Sequence, residues 1–142
     1  MLIRAEAWLA ARMFYPPIIL LCWVTRQTQY AVHRLLWFVS VLHMFYYSQG
    51  IAQHLVLGGL ATMHMLSAAT RPDVPAVSYG WIRGVLWVSL SLEIMVGLAL
   101  GAPSHVLVSW TLALYAEYAA TIKTLPPPPA RRRRRVSSAL GA

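Results

Sequence analysis

The chain has 142 residues, 58% of them hydrophobic and only 11% charged, with a formal net charge of +8. Its single cysteine, Cys22, excludes an intrachain disulfide and a cysteine-based zinc site. The positive charge does not indicate a nucleic-acid-binding surface, because five of the twelve basic residues form the run Arg131 to Arg135 and most of the others flank apolar segments.

Two long stretches of the sequence lack charged residues altogether. No Asp, Glu, Lys or Arg occurs from Leu35 to Thr70 or from Ile94 to Ala116. Stretches of this length leave a helix no polar face for water, so they indicate lipid as the surrounding medium. The sequence therefore predicts an all-α protein built as a polytopic transmembrane helical bundle.

The N-terminal segment does not read as a simple membrane span. Residues 1–12 alternate apolar and charged side chains, which predicts a helix lying in the membrane interface. Residues 13–25 are uncharged, but this run is shorter than the roughly 17 to 25 residues that a spanning helix needs. We therefore expect an interfacial or half-inserted N-terminal helix, with an additional span over residues 7–25 as the alternative.

Four later segments predict full membrane crossings. They lie at residues 31–47, 51–70, 79–101 and 104–122. Together with the N-terminal segment they form one transmembrane domain over residues 1–125. The second span contains Gly58 and Gly59, small residues that favour close contact between helices. Residues 126–142 form a proline- and arginine-rich tail.

The basic residues predict how the four spans are oriented. They lie before or near the start of the first span, on the two sides of the loop between the second and third, and after the fourth: Arg26, Arg34, Arg71, Arg83, Lys123 and Arg131 to Arg135. The other two connections, at 48–50 and 101–103, carry no charge. By the positive-inside rule we expect both ends of the chain, including the tail, on the cytoplasmic side of a bacterial membrane or the matrix side of the mitochondrial inner membrane.

The arginine run of the tail is expected to lie just inside the membrane. Its members are Arg131, Arg132, Arg133, Arg134 and Arg135. Basic side chains at this position attract anionic headgroups, each contributing about 1 kcal/mol. We expect the run to contact membrane lipid or the acidic surface of a partner protein.

Ionisable side chains at membrane depth are costly to bury and therefore indicate function. The depth of a residue in the membrane follows from its distance along the helix, at about 1.5 Å per residue from the inner end of its span. His43 and Glu93 both come out at a depth of roughly 18 Å, and His64 and Glu117 both at about 9 Å. A carboxylate and an imidazole that share a proton reduce each other's cost of burial. The four residues predict a two-step proton path. The alternative interpretation is that the pairs only hold the bundle together.

Four histidines are arranged symmetrically about the turn at residues 48–50. His33, His43, His54 and His64 are spaced ten, eleven and ten residues apart, so an antiparallel hairpin would place His33 level with His64 and His43 level with His54. Paired histidines on neighbouring helices are ligands that a b-type haem uses. Helices pack only about 8–10 Å apart, however, which is cramped for a haem between two imidazoles. Haem b is therefore the alternative cofactor hypothesis.

The neighbouring side chains of Met63, His64 and Met65 suit Cu(I) as ligands. Adjacent residues on a helix point about 100° apart, so these three cannot converge on one ion. We interpret the methionines as gap-filling side chains between helices and predict no metal site.

The stretch Gly50-Ile51-Ala52-Gln53-His54-Leu55 resembles the Gly-Ile-Arg-His-Leu stretch of the cytochrome b anchor subunits of succinate dehydrogenase. The resemblance covers about six residues and needs an insertion. The arginine of those anchors is absent here, and no residue role is carried over from the family.

The sequence contains no nucleophile–base pair, phosphate-binding loop or soluble domain, so we expect no catalytic activity of the chain's own. It predicts a small integral membrane subunit of a larger assembly, with an energy-transducing, respiratory-type complex as one hypothesis. The role would be structural or part of a proton or quinone path. A small b-type cytochrome that carries electrons and a proton-coupled homo-oligomeric transporter are the alternatives. Lipids and other membrane subunits are the expected partners, and nucleic acid is not.

Overall fold

The computed structural model describes residues 2–47, 50–70, 75–101 and 105–123. Within these ranges 88% of the residues are helical and none is in a strand, which confirms the all-α class. The helices are α1 (Leu2–Leu9), α2 (Tyr15–Thr25), α3 (Gln29–Tyr47), α4 (Ile51–Thr70), α5 (Gly80–Leu100) and α6 (Val106–Thr121), and a π-helical turn, Ala10–Phe14, joins α1 to α2 without a break. Arg71 and the tail with Arg131 to Arg135 lie outside the described residues.

Two prolines shape the N-terminal helix. Pro16 and Pro17 lie in the first turn of α2 and lack the amide hydrogen that would bond to the carbonyl four residues earlier. The carbonyl of Met13, four residues before Pro17, instead accepts a hydrogen bond from the Tyr115 hydroxyl at 3.4 Å. The π-helical turn Ala10–Phe14 directly precedes the prolines, and such turns are places where helices bend. The hydrogen bond to Tyr115 therefore connects the N-terminal helix to α6 next to the two prolines.

Two helices end at a residue with left-handed backbone. Arg26 follows α2 with φ 55°, and its N–H bonds to the carbonyl of Cys22. Gly101 follows α5 with φ 66°, and its N–H bonds to the carbonyl of Gly97. Glycine adopts this conformation without the steric cost that a Cβ brings, so Gly101 is a natural end for α5.

Helix α6 lies at the centre of the bundle. It packs against α2, α3 and α5, and its contact with α3 is the most extensive between any two helices in the described ranges. Nine of its 16 residues are buried. Helix α4 packs on α3. The shortest of the four later helices, α6, is therefore the one that α2, α3 and α5 enclose.

The contact between α3 and α6 is close because small residues lie along it. Helix α3 buries side chains spaced four, three and four residues apart, which defines a single face: His33, Trp37, Ser40 and Met44. The Ser40 hydroxyl donates to the backbone carbonyl of Ser109 at 2.7 Å. Ala113 and Ala116 on α6 are completely buried. Small side chains let two helix backbones approach closely, as in many membrane-embedded helix pairs.

Two helical segments in the described ranges are long and apolar enough to cross a membrane, Ala5–Thr25 and Gly80–Leu100. Only 22% of the apolar window of each is buried, whereas the core helix of a soluble protein is mostly buried. The finding gives weak support for membrane insertion. The predicted span 79–101 and the alternative N-terminal span 7–25 fall on these two segments, whereas 31–47, 51–70 and 104–122 do not meet the criterion. The four-span bundle is therefore not confirmed.

The N-terminal segment Leu2–Thr25 runs across α6 near its C-terminal end. Glu6 accepts a hydrogen bond from the Tyr118 hydroxyl at 3.3 Å, and the Tyr15 hydroxyl bonds to the Thr121 hydroxyl at 3.1 Å. Further on, Leu21 borders a small cavity together with Tyr115. From Glu6 to Leu21 a helix advances about 22 Å, whereas positions 115 to 121 of α6 span only about 9 Å. The two helices therefore cross at a steep angle.

The close packing on α6 gives the first testable prediction. Replacing Ala113 by Leu inserts a large side chain at a completely buried position, and overpacking of this kind costs about 1–3 kcal/mol of unfolding free energy. Thermal unfolding of the purified protein in mild detergent should show a lower midpoint. The matched control is Ala99→Leu at an exposed position of α5, which we expect to leave the midpoint unchanged. Equal midpoints for the two variants would contradict the packing described here.

Candidate functional site

A cluster of buried ionisable side chains lies at one end of the bundle. His33 is near the start of α3, His64 near the end of α4 and Glu117 near the end of α6. The three potential ligand atoms, one from each residue, all lie within 4.8 Å of one another. These three residues are called the His–Glu cluster below. Because the helices alternate in direction, the same end also contains the start of α5.

Glu117 is fully buried in the His–Glu cluster. Its Oε1 accepts a hydrogen bond from Trp37 Nε1 at 3.2 Å. Its Oε2 accepts one from the Ser78 hydroxyl at 3.0 Å and one from the Tyr79 backbone N–H at 3.3 Å. Tyr79 directly precedes α5, so the positive end of that helix dipole also faces the carboxylate. A buried carboxylate with this many donors has much of its lost hydration replaced.

His64 lies against the same carboxylate. Its Nε2 is 2.8 Å from Glu117 Oε1, and its side chain is only 9% exposed. The oxygen does not lie along the N–H direction, so the contact is electrostatic and Nε2 has no aligned hydrogen-bond partner among the described residues. The imidazole ring packs on Trp37 at a centroid distance of 5.0 Å. Helix α4 is thus connected to α6 through a charged contact in the interior.

His33 is oriented by the backbone of α6. Its Nδ1 lies 2.7 Å from the carbonyl oxygen of Ala116. A carbonyl oxygen only accepts hydrogen bonds, so Nδ1 carries the hydrogen and Nε2 of the neutral ring keeps a free lone pair. His33 is only 2% exposed. Its ring meets the His64 ring edge-on at a centroid distance of 5.1 Å.

A chain of hydrogen bonds leads from Glu117 toward the N-terminal helix. The Ser78 hydroxyl accepts from Arg83 Nη1 at 2.6 Å, and Arg83 Nε donates to Glu6 at 2.7 Å. Glu6 also accepts from the Tyr118 hydroxyl. Sequence reasoning treated Arg83 only as an orienting charge and assigned no role to Glu6. The signal that could have found Arg83 is its position inside the predicted span 79–101, since a charge there needs a partner.

A cavity of about 340 Å³ lies beside the His–Glu cluster. His33, Trp37 and His64 form part of its wall, and Arg34, Ser67 and Tyr79 complete the polar part of its lining. Its volume is sufficient for several water molecules, and its lining offers them polar partners. The cavity therefore provides access to the imidazoles.

The structure brings together one of the two predicted acid–histidine pairs and not the other. His64 and Glu117 are in contact. His43 instead bonds through Nδ1 to the Ser109 hydroxyl at 2.8 Å, and Glu93 accepts a hydrogen bond from Gln53. Equal depth along two helices does not fix which way each helix is rotated, so residues at the same level need not face each other.

The histidine pairs do not fit a haem. The His33 and His64 rings touch edge-on, with an interplanar angle of 78°, so no porphyrin fits between them. The other two histidines face different neighbours. His43 contacts α6, whereas His54 bonds to the carbonyl of Gly50 in its own helix and borders a groove of about 610 Å³ between α3 and α4. Neither pair presents two imidazoles across a space that would hold the cofactor.

Comparisons with known proteins identify no relative of this chain. No protein-family model, curated protein or solved structure matches the chain. The six-residue resemblance to succinate dehydrogenase anchors has no counterpart in these comparisons. The function is therefore argued from the geometry of the His–Glu cluster.

The buried carboxylate gives the second prediction. Glu117→Ala leaves Trp37 Nε1, the Ser78 hydroxyl and the Tyr79 N–H without their acceptor, and removing one member of a buried ion pair costs about 3–5 kcal/mol. Glu6→Ala is the matched control because its side chain is 37% exposed, where an ion pair contributes at most about 1 kcal/mol. Thermal unfolding in detergent should separate the two variants clearly. A larger loss of stability for Glu6→Ala would refute this assignment.

Proposed function

We propose that this chain is a small integral membrane subunit of a larger assembly, in which Glu117 and His64 exchange a proton with the adjoining cavity. The observation that carries the proposal is a fully buried carboxylate 2.8 Å from a nearly buried imidazole, next to a cavity that reaches the imidazole. Ionisable groups buried in a membrane-type bundle are typical of proton-transfer sites.

The exposed surface supports membrane insertion of α3, α4 and α5. Large apolar side chains cover the outer faces of α3, α4 and α5, among them Leu42 at 59%, Leu55 at 70% and Leu98 at 79% exposure. A soluble monomer rarely exposes apolar patches of this extent. Helices of the length of α3, α4 and α5 span about 28–32 Å, close to the roughly 30 Å hydrocarbon core. Such faces suit lipid tails or partner helices.

The N-terminal helix is proposed to lie in the inner interface. Its steep crossing of α6 is the geometry of a helix in the membrane plane when α6 spans the membrane. The guanidinium of Arg12 lies 5.3 Å from the Trp8 ring, and Trp and Arg together are typical of interfacial helices. Arg26, Arg34 and Lys123 lie at this same end of the bundle, which supports an inner-side location by the positive-inside rule.

The polar contacts also favour a subunit over an independent transporter. The chain of hydrogen bonds from Glu117 leads to Arg83 and Glu6 at the inner end. Glu93 and His43 lie nearer the other end of the bundle. No hydrogen bond or ion pair among the described residues links Glu117 to either of them. A proton route across the whole membrane would therefore need groups from another subunit.

Orientation gives the third prediction. In a Cys22→Ser background, single cysteines at Gln27, Lys123 and His105 occupy exposed positions at the ends of helices. We expect a membrane-impermeant maleimide to label His105→Cys in intact cells or right-side-out vesicles. Gln27→Cys and Lys123→Cys should react only after the membrane is permeabilised. Labelling of all three from the outside would refute the proposed arrangement.

Proton exchange gives the fourth prediction. The assembly is isolated from its native membrane and reconstituted in vesicles that contain a pH-sensitive dye, and a potassium diffusion potential drives proton movement. Glu117→Gln should reduce proton flux at least tenfold, the lower part of the range in which a positioned proton-transfer group contributes. Glu93→Gln is the matched control and should retain the flux. Retained flux in Glu117→Gln, with the variant assembled, would refute the proposed role.

A further inference from the structure

We propose that His33, His64 and Glu117 bind one divalent transition-metal ion, and that Zn²⁺ suits this donor set. Two imidazole nitrogens and one carboxylate oxygen, all within 4.8 Å of one another, are the ligands that many zinc sites use while keeping a fourth position open. The site uses residues of the proposed proton pair, but it depends only on their geometry and not on proton transfer.

His33 is already oriented as a metal ligand. Its Nδ1–H donates to the Ala116 carbonyl at 2.7 Å, which leaves the lone pair on Nε2 available. Metal-binding histidines almost always donate their other ring N–H to a backbone carbonyl or a carboxylate in this way. The hydrogen bond fixes both the tautomer and the orientation of the His33 ring. Metal binding therefore costs less conformational entropy at this ligand.

Glu117 is held in a similar manner. Ser78 and Tyr79 bind its Oε2, so its Oε1 is the oxygen directed at the imidazole of His64. Carboxylates that bind metals are themselves usually fixed by hydrogen bonds from surrounding groups. The carboxylate is therefore positioned to present one oxygen to an ion.

His64 points into the cluster without a well-aligned hydrogen bond. Its side chain is only 9% exposed, and its Nε2 lies 2.8 Å from Glu117 Oε1 without an aligned hydrogen bond to that oxygen or to any other atom of the described residues. Buried polar atoms are nearly always paired, and an exception calls for an explanation such as an ion. A metal ion bound between His33, His64 and Glu117 would satisfy this nitrogen.

The contraction needed for binding is small. Zinc binds imidazole nitrogen at about 2.0–2.1 Å and carboxylate oxygen at about 2.0–2.2 Å, which places tetrahedral ligands roughly 3.4 Å apart. The widest separation in the cluster is within 4.8 Å, so side-chain rotation is enough. The adjoining cavity gives an ion a way in and leaves space for a water molecule on the fourth position.

The test uses Co²⁺ as a spectroscopic probe on the complete chain, purified in mild detergent without a polyhistidine tag. We expect visible absorption of four-coordinate Co²⁺ that saturates at one ion per chain and is abolished by added Zn²⁺. His33→Ala and His64→Ala should each weaken Co²⁺ binding at least tenfold, since even outer-shell partners of metal ligands contribute about 10–100-fold. His54→Ala, on the same helix as His64 but outside the cluster, is the matched control and should bind normally.

A second measurement keeps the proposal testable if the alanine variants do not fold. The wild-type thermal unfolding midpoint should rise with added Zn²⁺, because an ion that binds only the folded state stabilises it. The rise should disappear as the pH is lowered, because protons compete for the ligands. Absence of both the Co²⁺ spectrum and the Zn²⁺ shift would overturn the site, as would loss of binding in His54→Ala but not in His64→Ala. Neither readout involves proton flux, so the site and the proposed function can fail separately.

Discussion

The burial of the Glu117 carboxylate is the constraint on which one end of the bundle, the end with the His–Glu cluster, depends. A buried carboxylate there is tolerated because polar groups surround it, and these groups come from three other parts of the chain: Trp37 on α3, His64 on α4, and Ser78 with Tyr79 immediately before α5. Each helix that approaches α6 at this level supplies at least one polar contact. The carboxylate therefore sets the relative rotation of four helices, which apolar packing alone would leave less specific.

The same arrangement makes the His–Glu cluster chemically versatile. The imidazole and carboxylate lone pairs that would exchange a proton are also the pairs that would bind a metal ion. The two processes exclude each other at any instant, because metal ligands must be deprotonated. The cavity beside His33 and His64 would serve either process, since it borders both imidazoles. The connection through Arg83 to Glu6 links this chemistry to the position of the N-terminal helix.

Much of the fold and part of the candidate site could be predicted from the sequence. The apolar stretches and their punctuation by Pro and Gly predicted the helices, and equal depths indicated His64 and Glu117 as neighbours. The same depth argument paired His43 with Glu93, but the structure directs these side chains to Ser109 and Gln53. Likewise, a Cβ built on Gly58 or Gly59 would meet nothing within 4 Å, so the small residues that pack closely lie on α6 instead.

The sequence by itself determined that the chain is helical, that its outer faces are apolar, and at what level along each helix the ionisable residues lie. These properties follow from composition and from the regular rise of a helix. Both can be read from a single segment of the sequence, without knowledge of its neighbours in space. Only the tertiary structure decided which ionisable residues meet, because this depends on the rotation of each helix about its axis and on the choice of neighbours. Placing α6 in the centre brought Glu117 to His33 and His64 from two other helices. No spacing within one helix contains that information.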